Sequence, residues 1–274
     1  VPELAALRHD VRHLRRQHMT HPGHQQPAGQ SGVLQPEGGL EAHAFDVDQI
    51  ESAARLENHL KSLKDRPYSL ARNTVVVAGG GFTGIETATE MPARLREVLG
   101  EDQDIRVIVI DRAPQIGAAL GDGIRPSIVE ASDHLGIEWV LGTSVAAVDA
   151  NGVTLSDGRH IESNTVIWTV GFRASPLTEQ LTSVRDGLGR HAGNNVAADL
   201  LGVQPIPYSQ PKYVTCLDLG AWGAVFTEGW DRQLKLVKDE AKQLKTQINT
   251  IWIYPPAADR ATALAAADPM IPVA

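Results

Sequence analysis

Three glycines carry the densest chemical information in this chain. Gly79, Gly81 and Gly84 stand at G-x-G-x-x-G spacing within Gly79-Gly80-Gly81-Phe82-Thr83-Gly84. Alone, that pattern says little, and its context decides. Here it follows the apolar, β-branched run that ends at Ala78 and precedes a helical rhythm at Ile85, Ala88, Met91, Leu95 and Val98. In that setting each glycine has a task. Gly79 permits the tight turn out of a strand. Gly81, lacking a Cβ, lets a pyrophosphate approach the backbone, and Gly84 lets the helix lie close to the strand. The phosphates would rest on the unpaired N–H groups and positive dipole end at Thr83 to Glu86. The competing reading is a glycine-rich turn in an α/β core with no ligand.

Asp111 ends the next apolar strand, Ile105 to Ile110. A carboxylate there can accept hydrogen bonds from the adenosine ribose and repel a 2′-phosphate, which favours NADH over NADPH. Arg112 beside it pulls the other way, and a solvated strand-end aspartate is the plain alternative. Glu86 also has two readings. One is a first-turn carboxylate complementing the helix dipole, worth roughly a few tenths of a kcal/mol. The other is a carboxylate facing a reacting ring. The pattern by itself favours the first.

The elements that must position these residues alternate. Strand, glycine loop and helix lead to the strand 105–110, a helix over Ile124 to Leu135 and a strand over Glu138 to Leu141, the βαβαβ order of a Rossmann-like α/β domain. A β-meander follows. Ser144 to Asp149 alternates, Asn151-Gly152 is expected to turn with both residues at positive φ, and Val153 to Ser156 returns. Asp157-Gly158 turns again before His160-Ile161. Thr165 to Val170 reads as a buried strand ending at Gly171. Upstream, Asp46 to Ser62 reads as an amphipathic helix with Ile50, Ala53, Leu56 and Leu60 on one face, stopped by Arg66-Pro67. Downstream come a helix over Ala192 to Leu201, an extended loop over Pro205 to Pro211 and paired strands over Tyr213 to Leu217 and Gly223 to Thr227. A helix over Asp231 to Asn249 then leads to Ile251 through Tyr254 and Pro255-Pro256. Leu234, Val237, Ala241, Leu244 and Ile248 make one face of that last helix, beside a stripe of Lys235, Lys238, Lys242 and Lys245. The pattern suits a helix packed in a domain or one lying on an anionic membrane surface.

Composition narrows the field. The chain has 274 residues and a formal net charge of −8, which argues against general affinity for nucleic acid. Its one cysteine, Cys216, excludes a disulfide framework and a two-thiol redox mechanism, and reads as a small buried apolar residue. No apolar run is long enough to span a bilayer. The N-terminus lacks an apolar signal core, so a cytoplasmic setting is the expectation. Residues 1–43 are polar, broken by Pro and Gly, and expected to be largely disordered. His9 and His13 share a metal-ligand spacing there, but without an acidic or cysteine partner the reading is a solvated tail and no metal site.

The segment Val75 to Leu95, with Gly-Gly-Gly-Phe-Thr-Gly-Ile-Glu-Thr-Ala-Thr-Glu-Met, resembles the NADH-binding domain of FAD-dependent pyridine-nucleotide oxidoreductases, in particular type II NADH dehydrogenases. The resemblance continues through the meander and Ile167 to Pro176, and resumes with Tyr213, Leu219-Gly220 and Lys245 through Pro256. It implies an NADH site of Gly79, Gly80, Gly81, Phe82, Thr83, Gly84, Ile85, Asp111 and Arg112. It places Glu86 near the reacting rings as the catalytic candidate, and Gly171 where the chain returns to the flavin domain. It also implies hydride transfer from NADH to FAD, then to a quinone-like acceptor, with peripheral association at the cytoplasmic face of the membrane. The organisation expected is an atypical segment 1–43, a flavin-domain remnant 44–72, the NADH domain 73–171, a second remnant 172–204 and a C-terminal strand and helix region 205–274. The flavin domain is incomplete on this reading. The family's own first glycine loop for FAD has no counterpart in 1–43, and its Gly-Asp flavin segment is missing where Gly189-Arg190 runs straight into His191. The alternative function is therefore a catalytically incomplete NAD(H)-binding fragment.

Overall fold

The computed structural model describes residues 39–171, 189–207, 213–252, 259–266 and 268. All of these fall within the unit Leu34–Ala274. The polar tail with His9 and His13, most of the second flavin remnant and Pro255-Pro256 lie outside the described residues.

In chain order the elements are α1 (Leu40–His43), β1 (Ala44–Phe45), α2 (Ile50–Ser62), α3 (Leu70–Asn73), β2 (Thr74–Ala78), α4 (Phe82–Leu99), β3 (Arg106–Asp111) and α5 (Arg125–Leu135). Then come β4 (Ile137–Leu141), β5 (Val145–Asp149), β6 (Gly152–Leu155), β7 (His160–Glu162), β8 (Thr165–Trp168), α6 (Gly189–Leu200), β9 (Val214–Asp218), β10 (Ala224–Glu228), β11 (Gln233–Val237), α7 (Lys238–Gln247) and α8 (Arg260–Ala266). A five-stranded sheet in the order β1-β8-β2-β3-β4 pairs in parallel throughout. The expected βαβαβ unit supplies its strands β2, β3 and β4.

Both faces of this sheet are covered, which explains its continuous apolar runs. Side chains alternate across a strand. Val75, Val77, Val107, Val109 and Ile167 pack with Leu56, Leu60, Ala88, Met91 and Leu95 of the helices. Val76, Ala78, Ile108, Ile110 and Val166 pack with Val145, Val148, Val153 and Leu155 of the antiparallel meander β5-β6-β7. A third cluster joins Ile85 of α4 and Ile124, Ile128 and Ala131 to Leu217, Leu219, Trp222 and Val225 around the antiparallel sheet β11-β10-β9.

Three expectations change. The buried face of α2 is Ser52, Leu56 and Leu60, while Ile50 is 85% exposed and Ala53 is also exposed. The first turn of the meander centres on Ala150-Asn151, because Asp149 pairs with Gly152. Asn151 keeps a negative φ, its N–H donating to Asp149 Oδ1 at 2.7 Å, an Asx turn instead of a mirror-image one. Gly152 is required for a different reason: a Cβ there would lie 2.0 Å from Ile161 O. Third, the helix expected from Asp231 begins only at Lys238. Residues 233–237 form β11, paired antiparallel with β10, since its apolar residues find a strand partner beside them. Leu234 and Val237 are thus strand residues, 40% and 38% exposed, and only Ala241 of the proposed apolar face is fully buried.

His59 of α2 ties the helix layer to the sheet. Its Nε2 meets Thr165 Oγ1 at 2.9 Å, and its ring lies 4.5 Å from that of Phe45. Burial and then the Arg66 charge hold its pKa below the ordinary value, against a backbone hydrogen bond at Asn164 that favours protonation. The folded chain therefore holds the neutral ring. That stability is complete above the unfolded histidine pKa of about 6.5 and is lost as pH falls through it toward the lower folded value. Melting temperature should fall between about pH 7.5 and 5.5, and His59→Gln should flatten that fall; an unchanged pH profile in the variant would assign the drop elsewhere.

Candidate functional site

The glycine loop leaves β2 at the carboxyl end of the parallel sheet, where dinucleotides bind open α/β sheets. Gly79 has φ +105°, and its N–H donates to Ile110 O at 2.8 Å. A Cβ on Gly84 would stand 1.9 Å from Gly79 O and 2.8 Å from Thr169 Oγ1, so α4 lies directly on the strand end. A Cβ on Gly80 would meet Asp111 Oδ2 at 2.8 Å and Trp139 at 2.9 Å. Gly81 differs from all three: nothing lies within 4 Å of a Cβ built there. It is the N-cap of α4, extended and without a side-chain cap. The first-turn N–H groups of such a helix have no partner within it. An open space thus faces uncapped donors at the positive end of an 18-residue helix.

The remaining residues divide between this opening and the core. Phe82 and Thr83 are half-buried at the first turn. Ile85 turns inward, 1% exposed, and its N–H is taken by Gly81 O at 3.0 Å. Asp111 Oδ2 accepts from Gly80 N–H at 2.5 Å and Oδ1 from Ala113 N–H at 2.7 Å, so the carboxylate fastens the loop to β3. Arg112 is exposed beside it. Gly171, at φ +79°, is exposed beyond the end of β8.

Glu86, 34% exposed, is engaged by the C-terminal part of the chain. Its Oε1 accepts from Lys245 Nζ and from Asp218 N–H, both at 2.9 Å. Lys245 also donates to Cys216 O at 2.8 Å and is 17% exposed. One turn further along α4, Glu90 lies 3.8 Å from Lys242, which donates to Asp218 Oδ1 at 2.5 Å. Lys238 pairs with Glu130 at 2.8 Å, over the ring of Trp222. Three of the four lysines in the expected basic stripe are therefore committed to carboxylates of the fold. Cys216 is half-buried, not fully buried as expected, and sits among these charges. Burial raises its thiol pKa, Lys245 opposes that, and the thiol is held in its protonated form.

Removing the Glu86 charge while keeping its shape isolates this clamp. Glu86→Gln should lower stability by about 1 kcal/mol, and Lys245→Met should cost more because it also strips the donor from Cys216 O. Urea denaturation of both variants and the double variant reads the coupling; strict additivity would refute the pair.

Composition and pattern did not single out Thr169 or Trp139, and named Lys245 only as part of a basic stripe. Thr169 Oγ1 donates to Ala78 O at 2.7 Å and buttresses the loop from the neighbouring strand β8. Trp139 packs beneath Gly80 and donates to Ser132 Oγ at 3.0 Å. Only the order β8-β2-β3-β4 brings these residues to the loop.

Comparison with known proteins bears on the family of the chain. Residues 27–199 match the family described as pyridine nucleotide-disulphide oxidoreductase. An NADH dehydrogenase-like protein of Mycobacterium tuberculosis is 39% identical over 292 residues, covering 89% of this chain and 73% of that protein. The type II NADH:quinone oxidoreductase of Staphylococcus haemolyticus is 30% identical over 155 residues, covering 52% of this chain and 38% of that protein. The NDH2 structure from Plasmodium falciparum in complex with NADH superposes with a TM-score of 0.44 at 18% identity, over 52% of this chain and 33% of that one. With a match over most of its length and a relative covered across nearly three quarters of its own, the chain belongs to the pyridine nucleotide-disulphide oxidoreductase family.

Proposed function

We propose that this chain binds NADH at the Gly79–Gly84 loop, as the NADH-binding part of an oxidoreductase of the type II NADH dehydrogenase kind. The observation that carries this reading is the open space before Gly81, set against uncapped N–H donors. The pyrophosphate would lie on Gly79, Gly80 and Gly81 and on the first turn from Phe82 and Thr83 to Gly84. Asp111, with two of its acceptor sites used by Gly80 and Ala113, has others for the ribose hydroxyls. Its charge favours NADH, with Arg112 as the residue that could admit a 2′-phosphate. Glu86 and Gly171 would lie toward the nicotinamide end. On this reading residues 73–171 are the NADH domain, and 44–72 and 172–204 belong to a flavin domain.

Among the described residues, β2 to α4 is the one strand-to-helix junction with a glycine cradle. The junction from β1 into α2 contains no glycine, and that from β3 into α5 runs through a long loop. The described residues therefore do not supply a second cradle for FAD. The 292-position alignment with the mycobacterial relative takes in 89% of this chain, so about one aligned position in six has no residue here opposite it. Both observations favour NADH binding without turnover. The second reading is a complete flavoenzyme passing electrons from NADH through FAD to a quinone-like acceptor at a membrane surface; the names of the staphylococcal relatives favour it. No helix among the described residues is long and apolar enough to cross a membrane.

An absorbance spectrum of the purified chain and a thermal melt with NADH test both. A colourless protein whose melting temperature rises with NADH is expected, because a ligand of the folded state stabilises it. A melting temperature unmoved by millimolar NADH would overturn the binding reading. A yellow chain that oxidises NADH with a quinone would replace it with the second.

A further inference from the structure

The hairpin that joins β5 to β6 contains an Asn-Gly step. Asn151 is the one asparagine of the sequence that precedes a glycine. It is exposed at the tip of the turn, and its side-chain amide makes no hydrogen bond with any described residue. Its backbone is held instead: the N–H donates to Asp149 Oδ1 at 2.7 Å, and the carbonyl accepts from Ser163 N–H at 2.9 Å. Gly152 is fixed by packing. It has φ +144°, and a Cβ there would lie 2.0 Å from Ile161 O and 2.8 Å from Ser163 N. Any larger residue is therefore shut out at 152, while nothing among the described residues engages the carboxamide at 151.

A free carboxamide followed by glycine can react with its own chain. The main-chain nitrogen of the next residue attacks the carboxamide carbon and closes a five-membered imide. Two features of this turn favour the attack. Gly152 has no Cβ to block the approach. The Ser163 N–H on Asn151 O draws electrons from the peptide bond that contains Gly152 N, which makes that N–H easier to deprotonate. The closing pair Asp149 and Gly152 must open for the reaction, a local fluctuation at the end of a two-residue turn. The Asp-Gly steps give the contrast. Asp157 Oδ2 accepts from Arg159 Nη2 at 2.7 Å and from Nε at 2.9 Å, and this guanidinium holds the carboxyl below the usual carboxylate range. Asp122 pairs with Arg125 at 2.6 Å. A carboxylate paired with a guanidinium is a poor electrophile, so neither step shares the reactivity of Asn151. Asp186-Gly187 lies outside the described residues.

We propose that Asn151 is a site of spontaneous deamidation and isoaspartate formation in the folded chain. Gly152 N bonds to Asn151 Cγ, the bond from Cγ to the amide nitrogen breaks, and ammonia leaves with the proton of Gly152 N–H. Water then opens the imide at one of its two carbonyls. Opening at Cγ leaves aspartate. Opening at the main-chain carbonyl leaves isoaspartate, whose chain runs on through Cβ and Cγ. Water is the only co-reactant, and nothing is oxidised or reduced. Isoaspartate lengthens the main chain of the turn between Val148 and Val153, which pair across the hairpin and pack with Val76 and Ile108 in one core cluster. The product has the chemistry that isoaspartyl carboxyl methyltransferases recognise. The proposal is independent of the reading of Gly79–Gly84.

Incubation of the folded full chain at mildly alkaline pH, followed by digestion and mass spectrometry, tests this. The peptide that contains residues 151–152 should gain about 1 Da and separate into an aspartate and an isoaspartate form. A purified isoaspartyl methyltransferase with a labelled methyl donor should then label the incubated chain. Asn151→Gln keeps an amide but disfavours closure of the ring. It should melt as the wild type does before incubation and take up almost no label after it. If the peptide keeps its mass in the folded chain and gains it only in urea, the fold protects the turn and the proposal is overturned. Equal labelling of Asn151→Gln and the wild type would place the reaction at another residue and overturn it too. Conversion at Asp122 or Asp157 as fast as at Asn151 would remove the distinction on which the site was chosen.

Discussion

Gly84→Ala should destabilise the chain by about 3 kcal/mol, lowering its melting temperature by about 10 °C. The added methyl would sit 1.9 Å from Gly79 O and 2.8 Å from Thr169 Oγ1. Neither neighbour can yield cheaply. Gly79 O belongs to the turn that closes β2, and Thr169 Oγ1 is fixed by its bond to Ala78 O. Relief requires α4 to lift from the sheet, and α4 contributes Ile85, Ala88, Met91 and Leu95 to two core clusters. Thermal melts by circular dichroism, without ligand, measure the effect. A variant melting within about 1 °C of the wild type would mean that helix and strand are not in this close contact.

Gly81→Val should do the reverse. The backbone there is extended, at φ −80° and ψ −173°, which valine adopts readily, and a Cβ meets nothing within 4 Å. The folded chain should keep its melting temperature. The space it fills is the one assigned to the pyrophosphate, so NADH affinity should fall by at least a hundredfold, a loss of about 2.7 kcal/mol or more. In a melt with NADH at about a hundred times the wild-type dissociation constant, the wild type gains about 2.7 kcal/mol and the variant almost nothing. Undiminished NADH binding by Gly81→Val would remove the cradle from the site. Together the two glycines, three positions apart, separate folding from binding within a single loop.

The sheet and its loop were legible because their causes are local. A strand buried on both faces needs a continuous apolar run, and Val75 to Ala78 and Val107 to Ile110 have one. Glycine spacing likewise encodes its own geometry. The region after Phe226 was not legible for a related reason. Leu234, Val237, Ala241 and Leu244 satisfy a helical period, yet β10 offers a partner strand and residues 233–237 take it. Lys238, at φ +56°, is where the chain changes over, and Gly223 makes room for it, since a Cβ there would stand 2.5 Å from Lys238 Cα. The lysine stripe misled because charge patterning shows which residues could face outward, not which carboxylates await them. Glu86 and Glu90 are one turn apart on α4, and only the packing of α7 on β9 and β10 turns Lys245 and Lys242 toward them. The contact of Arg232 with the Phe82 ring could not be found from local pattern, because the two residues lie 150 positions apart.

The strand order also has a consequence for synthesis. β8 lies between β1 and β2, so the strand bearing the glycine loop has an open edge until residues 165–168 have been made. Its final clamp waits longer still, since Glu86 and Lys245 are separated by 159 positions. At roughly 5–20 residues per second, a nascent chain therefore spends several seconds with the apolar edge of β2 uncovered. That interval, rather than the finished fold, is when this protein is most open to edge-to-edge pairing with another copy, and when a chaperone that covers strand edges would matter most.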